Sequence, residues 1–408
     1  MLAENRISVE AMKRSLATFS SKELKENIIP YWIRNGPDTV RGGFWGEIDN
    51  QNQPIAQAPK GLILNSRILW TFSACYKHLK DDNVLAIANR AYEYLMGRFI
   101  DTEHQGFFWS VDANGLPLDT KKQTYAQAFT IYGLSEYYSA TGNPVAKDMA
   151  VSLYYLLERH CFDTTQGGYY EAFSRGWLPL DDMRLSDKDM NVAKTMNTHL
   201  HVLEAYVNLY RVWEHDDLRT SLVKLLDVLA TRFVNPNDWH LNLFFDAEWN
   251  SKSDIISYGH DIEASWLMYE AAEVLGIPKL LEQFRAIALA MADASMEGLN
   301  PDGSMIYEWH RGGHGPKDEE LEWWAQAEAI VGYYNAFQLT ADVKYLEAAD
   351  RLRVYIEEKV INRHYGEWHF RISKEGEPIP CHPIAGFWKC PYHNARMCLE
   401  IIHRTGSR

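Results

Sequence analysis

At 408 residues, the chain is long enough for two or three ordinary domains or for one large closed architecture. A formal net charge of −14 argues against nucleic acid or an anionic membrane as a partner, since both demand clustered Lys and Arg. No apolar run approaches the roughly 20 residues of a membrane span.

The N-terminus starts polar and lacks an apolar signal core. The five cysteines, Cys75, Cys161, Cys381, Cys390 and Cys398, are odd in number, scattered and without zinc-ligand spacing. Free thiols in a reducing compartment follow, and with them a cytoplasmic protein.

Apolar spacing of helical type runs from about Val9 to Arg34 and stops at the turn cluster Asn35-Gly36-Pro37. A short aromatic, β-like piece follows at Gly42–Asp49, closed by Pro54. From Lys60 to Leu79, Leu64, Ile68, Phe72 and Tyr76 fall four apart on one helical face. This order of pieces then repeats. The aromatic piece recurs at Gly106–Asp112, Gly167–Phe173, Leu243–Asp246, Asp302–Glu308 and Tyr365–Phe370, making six copies roughly 60 to 75 residues apart. Each copy precedes an apolar helical segment, near 60–79, 121–140, 194–213, 257–275, 322–339 and 388–404. Amphipathic stretches lie between them near 83–100, 144–160, 216–233, 278–297 and 342–360, and the helix at 9–34 completes an outer set of six.

Six helical hairpins in series can form an open solenoid or a closed ring. An open solenoid ends in capping repeats, yet the last segment here, Trp388 to Glu400, is the most chemically loaded. Closure sets it beside the first inner helix. The reading is therefore an all-α (α/α)6 barrel of six helical hairpins, one domain over 1–408, with short β-hairpin-like loops at one mouth.

Polar groups gather at the starts of the inner segments. His201 falls four residues after Asn197 and shares its helical face, whereas His199 points elsewhere, so His-x-His on a helix is a poor metal site. Buried histidines bonded to backbone are the bland alternative. His260 and Glu263 are three apart, close enough for the carboxylate to hold the imidazole, while Asp261 faces differently. Arg67 sits among Ile63, Leu64, Ile68 and Leu69, where a guanidinium needs an ion pair or a polar ligand. Trp323, Trp324 and Glu328 offer rings and an acid one turn apart, and Trp388 and His393 pair a stacking ring with an acid/base group. No nucleophile motif, phosphate-cradling loop or dinucleotide fingerprint is present. What remains is proton transfer by histidines around a polyhydroxylated ligand.

The stretches Asn197–Ala205, Ser257–Trp266 and Trp388–Met397 resemble the cellobiose 2-epimerases of the N-acylglucosamine 2-epimerase superfamily, and Lys60–Phe72 and Trp323–Ala329 extend the likeness along the whole chain. The resemblance implies an (α/α)6 barrel and reversible C2 epimerisation of the reducing-end glucose of a β-1,4-linked disaccharide. It implies no cofactor and no catalytic metal, with a small-molecule disaccharide as partner to a monomer or weak homodimer. It gives His260 and His393 as the acid/base pair, Arg67 and His201 as the groups around O1 and O2, and Glu263 as the partner of His260. Tyr125, Asn197, Trp323, Trp324, Glu328 and Trp388 are implied sugar contacts, with Asp189 a further one. Siblings on the same barrel, a mannose or N-acylglucosamine 2-epimerase or an aldose–ketose isomerase, stay open. So do a glycoside hydrolase using Glu263 and Glu328 and a non-catalytic binding module.

Overall fold

The computed structural model describes residues 2–313 and 315–406, with side chains from Ser8 onward. Helix α1 (Leu2–Lys22) runs through a widened turn at Glu23–Ile28 into α2 (Ile29–Asn35). Inner and outer helices then alternate: α3 (Leu62–Leu79), α4 (Asp82–Tyr94), α5 (Thr124–Thr141), α6 (Pro144–His160), α7 (Met196–Tyr210), α8 (Asp216–Val228), α9 (Tyr258–Leu275), α10 (Pro278–Ser295), α11 (Trp323–Thr340), α12 (Val343–Tyr355) and α13 (Tyr392–Thr405). Local signals set the ends. Asp81, Asn143, His215 and Asp342 each accept a backbone N–H at the start of an outer helix. Left-handed residues stop every inner helix but α7, glycine at Gly142, Gly276 and Gly406 but Lys80 and Ala341 at the matching places in α3 and α11.

The inner helices are apolar on nearly every side, so each must be covered by neighbours. α3 packs on α5, α5 on α7, α7 on α9, α9 on α11, α11 on α13, and α13 returns to α3. α1 lies against α12 and α13, which closes the outer layer too. The (α/α)6 ring expected from the repeat is the one observed.

The aromatic pieces are rungs between repeats. Each inner helix is entered through extended residues that pair antiparallel with the loop of the following repeat: Lys60–Gly61 with Ser110–Val111, Lys122–Gln123 with Ala172–Phe173, and Lys194–Thr195 with Phe244–Phe245. Ile255–Ser257 pairs likewise with Glu308–His310, and Leu321–Glu322 with Arg371–Ile372. An antiparallel bridge between Ile48 and Ala385 ties the first loop to the residues ahead of α13.

A buried charge code accompanies this ladder. After each outer helix one residue donates its backbone N–H across its loop: Asp38, Asp101, Asp163, Asn235, Asn300 and Asn362. Where that residue is aspartate, a buried lysine at the entry of the inner helix meets it, as Lys60–Asp38 (2.9 Å), Lys122–Asp101 (2.9 Å) and Lys194–Asp163 (2.7 Å). In the fourth and fifth repeats asparagine replaces the acid, and Ile256 and Leu321 occupy the lysine position. In the sixth, Asn362 is neutral and Lys389 pairs with Glu367 instead. A charge at this depth is kept only with its counter-charge.

Asp163→Asn should therefore cost about 3 to 5 kcal/mol in urea unfolding, because it strands Lys194. Adding Lys194→Ile, which copies the fourth repeat, should recover most of that loss. Equal stability of the single and double variants would contradict the code.

Candidate active site

The same register sorts the inner-helix side chains. In the second to fifth repeats the fifth residue after the entry position turns back to grip a loop. Gln127 bonds both backbone groups of Phe107 (2.9 and 2.8 Å), and Gln326 does the same at Met305 (2.8 and 2.9 Å). His199 accepts the Tyr169 N–H and Asp261 the Leu241 N–H, both at 2.8 Å. The seventh residue is Arg67, Phe129, His201, Glu263, Glu328 and Arg396 in turn. These side chains meet one another: the Arg67 guanidinium lies 4.3 Å from the Phe129 ring centre, Phe129 lies 4.8 Å from His201, and Arg396 meets Glu263 and Glu328 at 2.5 and 2.6 Å. His199 and Asp261 thus hold the scaffold while His201 and Glu263 belong to the ring, the division of faces expected from helical spacing.

Above this ring opens a cavity of about 670 Å³. Arg67, Tyr125, Asp189, Asn197, His201, His260, Glu263, Trp323, Trp324, Trp388 and His393 all line it. Four buried polar atoms on these residues lack a hydrogen-bond partner among the described residues: Arg67 Nε, Asn197 Oδ1, Trp323 Nε1 and Glu263 Oε2. Buried polar groups demand partners, so donors and acceptors waiting beside indole faces describe the contact surface of a sugar. The rim adds Lys188, Glu308, Lys317, Asp318, Glu322 and Arg371, which lie outside the helices in loops and short paired segments and carry no periodic signal in the sequence.

Two expected roles need correction. Glu328 is fully buried beneath the cavity and touches no ligand space; its Oε1 lies 2.7 Å from His393 Nδ1 and its Oε2 accepts the Trp266 Nε1–H at 3.3 Å. It is the partner of a histidine. Glu263 in turn does not hold His260. The three-residue spacing puts the two on adjoining faces of α9, but His260 turns Nδ1 back to Ser257 Oγ (2.7 Å) while Glu263 reaches inward to Arg396 and stands 4.0 Å from His393 Nδ1. His201 has its own acid, with Nδ1 2.8 Å from Glu204 Oε2. Arg67 donates to the Tyr125 hydroxyl at 2.7 Å.

Sequence reasoning missed Arg396, Glu204, Tyr392 and Ser257. Arg396 binds Glu204, Glu263, Glu328 and the Tyr392 hydroxyl, and Glu204 also accepts from Tyr392. A signal for Arg396 was present: it stands seven places after Lys389, as Arg67 stands seven after Lys60. Glu263, Glu328 and His393 are grouped closely enough to hold a metal ion. The Arg396 guanidinium already supplies the cation on both carboxylates, so a metal fits this group poorly.

Electrostatics favour neutral imidazoles. Burial pushes His260 down to about 3, with the His201 ring adding to the effect. Burial also pushes His393 well below its ordinary value, and the Arg67 and Arg396 guanidiniums act in the same sense. Burial raises Glu263 to about 7, with Glu328 pushing the same way, and burial raises Glu328 to about 7 against the pull of Arg396. Glu204 is held at about 2: burial opposes ionisation, but Arg396 and His201 outweigh it.

A raised acid in the folded state stabilises fully only below its unfolded value near 4.3, and that contribution is lost as pH climbs through about 7. Glu263→Gln does not titrate. Its stability relative to the parent should thus rise between about pH 4 and 7 and level off above. A difference in unfolding free energy that stays flat across that window would refute the assignment.

Residues 43–396 match the N-acylglucosamine 2-epimerase (GlcNAc 2-epimerase) family. The cellobiose 2-epimerase of Bacteroides fragilis is 46% identical over 93% of this chain and 97% of its own. That of Dictyoglomus turgidum is 38% identical over 94% and 97%. The solved structure of cellobiose 2-epimerase from Bacillus thermoamylovorans superposes with a TM-score of 0.91 at 40% identity, over 96% of this chain and all of that one. Likeness in sequence and in backbone thus runs through all six repeats, and the chain belongs to the N-acylglucosamine 2-epimerase family.

Proposed function

We propose that the protein, acting as one catalytic domain over 1–408, epimerises C2 of the reducing-end glucose of a β-1,4-linked disaccharide, converting cellobiose to glucosyl-mannose and lactose to epilactose. The observation that carries this reading is the pair of buried histidines on one cavity, His260 and His393, both packed on the Trp324 ring at 4.7 and 5.5 Å. Each has Nδ1 engaged, by Ser257 and by Glu328, which leaves Nε2 for the ligand.

The C2 proton of a closed sugar ring is not acidic, so the ring first opens to the aldehyde. One histidine then takes the proton from one face, charge spreads into a cis-enediolate, and the other histidine returns a proton to the opposite face. Glu328 orients His393 through Nδ1; in its ionised form it can only accept, and Nε2 then keeps its lone pair. The Ser257 hydroxyl both donates and accepts, so His260 is free to serve as acid or base without moving. Arg67, steadied by Tyr125, faces the developing oxyanion, a term of about 3 to 4 kcal/mol for one well-placed donor. Glu263 and Glu328 make a poor hydrolase pair, because both bind Arg396 and Glu328 lies outside the cavity.

Among the described residues no helix is long and apolar enough to cross a membrane, and the five cysteines are unpaired thiols, which supports a reducing compartment, the cytoplasm, for the enzyme. Incubation with cellobiose in deuterium oxide, followed by proton NMR, tests the reaction. Loss of the C2 proton with growth of glucosyl-mannose is the expected result. Turnover of free mannose or glucose alone would move the substrate to a monosaccharide, transfer to C1 would make it an isomerase, and no exchange on any sugar would overturn the assignment of the histidines.

A further inference from the structure

The inner helices continue beyond the catalytic ring, and their C-terminal halves enclose a second cavity of about 950 Å³ with Arg396 and Glu204 in its wall. Its fixed charges are matched, Lys77 with Glu136 at 2.9 Å, Arg211 with Glu270 at 2.8 Å and Arg396 with Glu204, except that Lys25, exposed to solvent, is the one lining cation without an ion pair among the described residues. An ion would find no unopposed charge in the buried part of the wall. What remains open there are hydrogen-bond donors. Trp70 stacks on Tyr132 with ring centres 5.1 Å apart, is only 7% exposed, and its Nε1–H has no acceptor among the described residues. Arg396 Nε is likewise unpartnered. Two buried donors beside stacked rings suit a neutral molecule with several acceptors and an apolar face, which is the chemistry of a pyranose.

The same wall reaches the catalytic histidines. Glu204 bonds His201 Nδ1 at 2.8 Å, and Trp266, also lining this cavity, donates to Glu328, which holds His393 Nδ1. Any occupant is thus one side chain from His201 and two from His393. We propose that this rear cavity is a second site for a neutral pyranose, and that its occupancy alters the orientation of His201 and His393 through Glu204 and Trp266. The binding claim stands without the epimerase reading; only the kinetic part of the test rests on it.

Methyl α-D-glucopyranoside, whose ring cannot open, is the probe, followed by saturation-transfer NMR on the full chain. Binding should persist in Trp388→Ala, which damages the front cavity, and should disappear in Ala74→Phe, which fills the rear one. Trp70→Phe keeps the ring but loses the N–H, and should weaken binding about fivefold, as expected for one neutral hydrogen bond. The glycoside should also change kcat for cellobiose by about twofold or more, and Ala74→Phe should retain basal turnover but lose that response. Loss of all binding in Trp388→Ala, or unchanged binding in both Ala74→Phe and Trp70→Phe, would overturn the site. Binding in the rear cavity with kcat unmoved would overturn the coupling.

Discussion

Replacing His393 with asparagine is expected to lower turnover of cellobiose by about 10² to 10⁴, the usual worth of a positioned acid/base group. Asparagine can still bond Glu328, so the fold is spared, but it offers no nitrogen lone pair to accept a proton. His260→Asn should fail comparably, and in deuterium oxide the two variants should differ in kind. If each histidine serves one face of C2, one variant loses wash-in from the glucose epimer first and the other from the mannose epimer. A second signature lies in the pH profile. Burial pushes both histidines below the usual value near 6.5, so the acid limb of kcat/KM for the parent enzyme should fall well below that value. Parent-like turnover in either variant, or an acid limb at 6.5, would remove the histidines from the chemistry.

Arg396→Met should lower stability by about 3 to 5 kcal/mol in denaturant unfolding. The residue is 1% exposed and is the counter-charge to Glu204, Glu263 and Glu328 together. Its removal leaves acids in the interior with no cation of their own. Arg396→Lys keeps the charge but cannot span three carboxylates from one planar group, so it should recover only part of the loss. Activity should fall in both, because Glu204 and Glu328 position His201 and His393. Parent stability in Arg396→Met would mean that the three acids are neutral in the folded protein.

How much of this was legible in the sequence differs by level. Helical periodicity placed the inner helices within a few residues of their observed bounds, since apolar spacing over four or five turns is a strong signal. Eleven of the twelve expected site residues reached one cavity, because helical register fixes which face a side chain occupies. Pairings across the barrel were not legible. Glu263 belongs with Arg396 on α13, and Glu328 with His393 on α13, partners brought together only by ring closure. Spacing along α9 suggested His260 as the neighbour of Glu263, and local proximity lost to a buried guanidinium. The rim residues outside the helices carried no periodicity to read.

Ring closure also carries a consequence in time. The bridge from Ile48 to Ala385 and the return of α13 to α3 are contacts between the two ends of the repeat series, so the loop they close is the longest and slowest to form. His393, the proposed acid/base group, and the counter-ion Arg396 both stand on α13, after the other described helices in chain order. Until α13 docks, Glu204, Glu263 and Glu328 lack the Arg396 cation and the cavity lacks His393. Sugar chemistry therefore switches on in a single step at the end of assembly, and recovery of turnover during refolding should track the slowest phase rather than the return of helix.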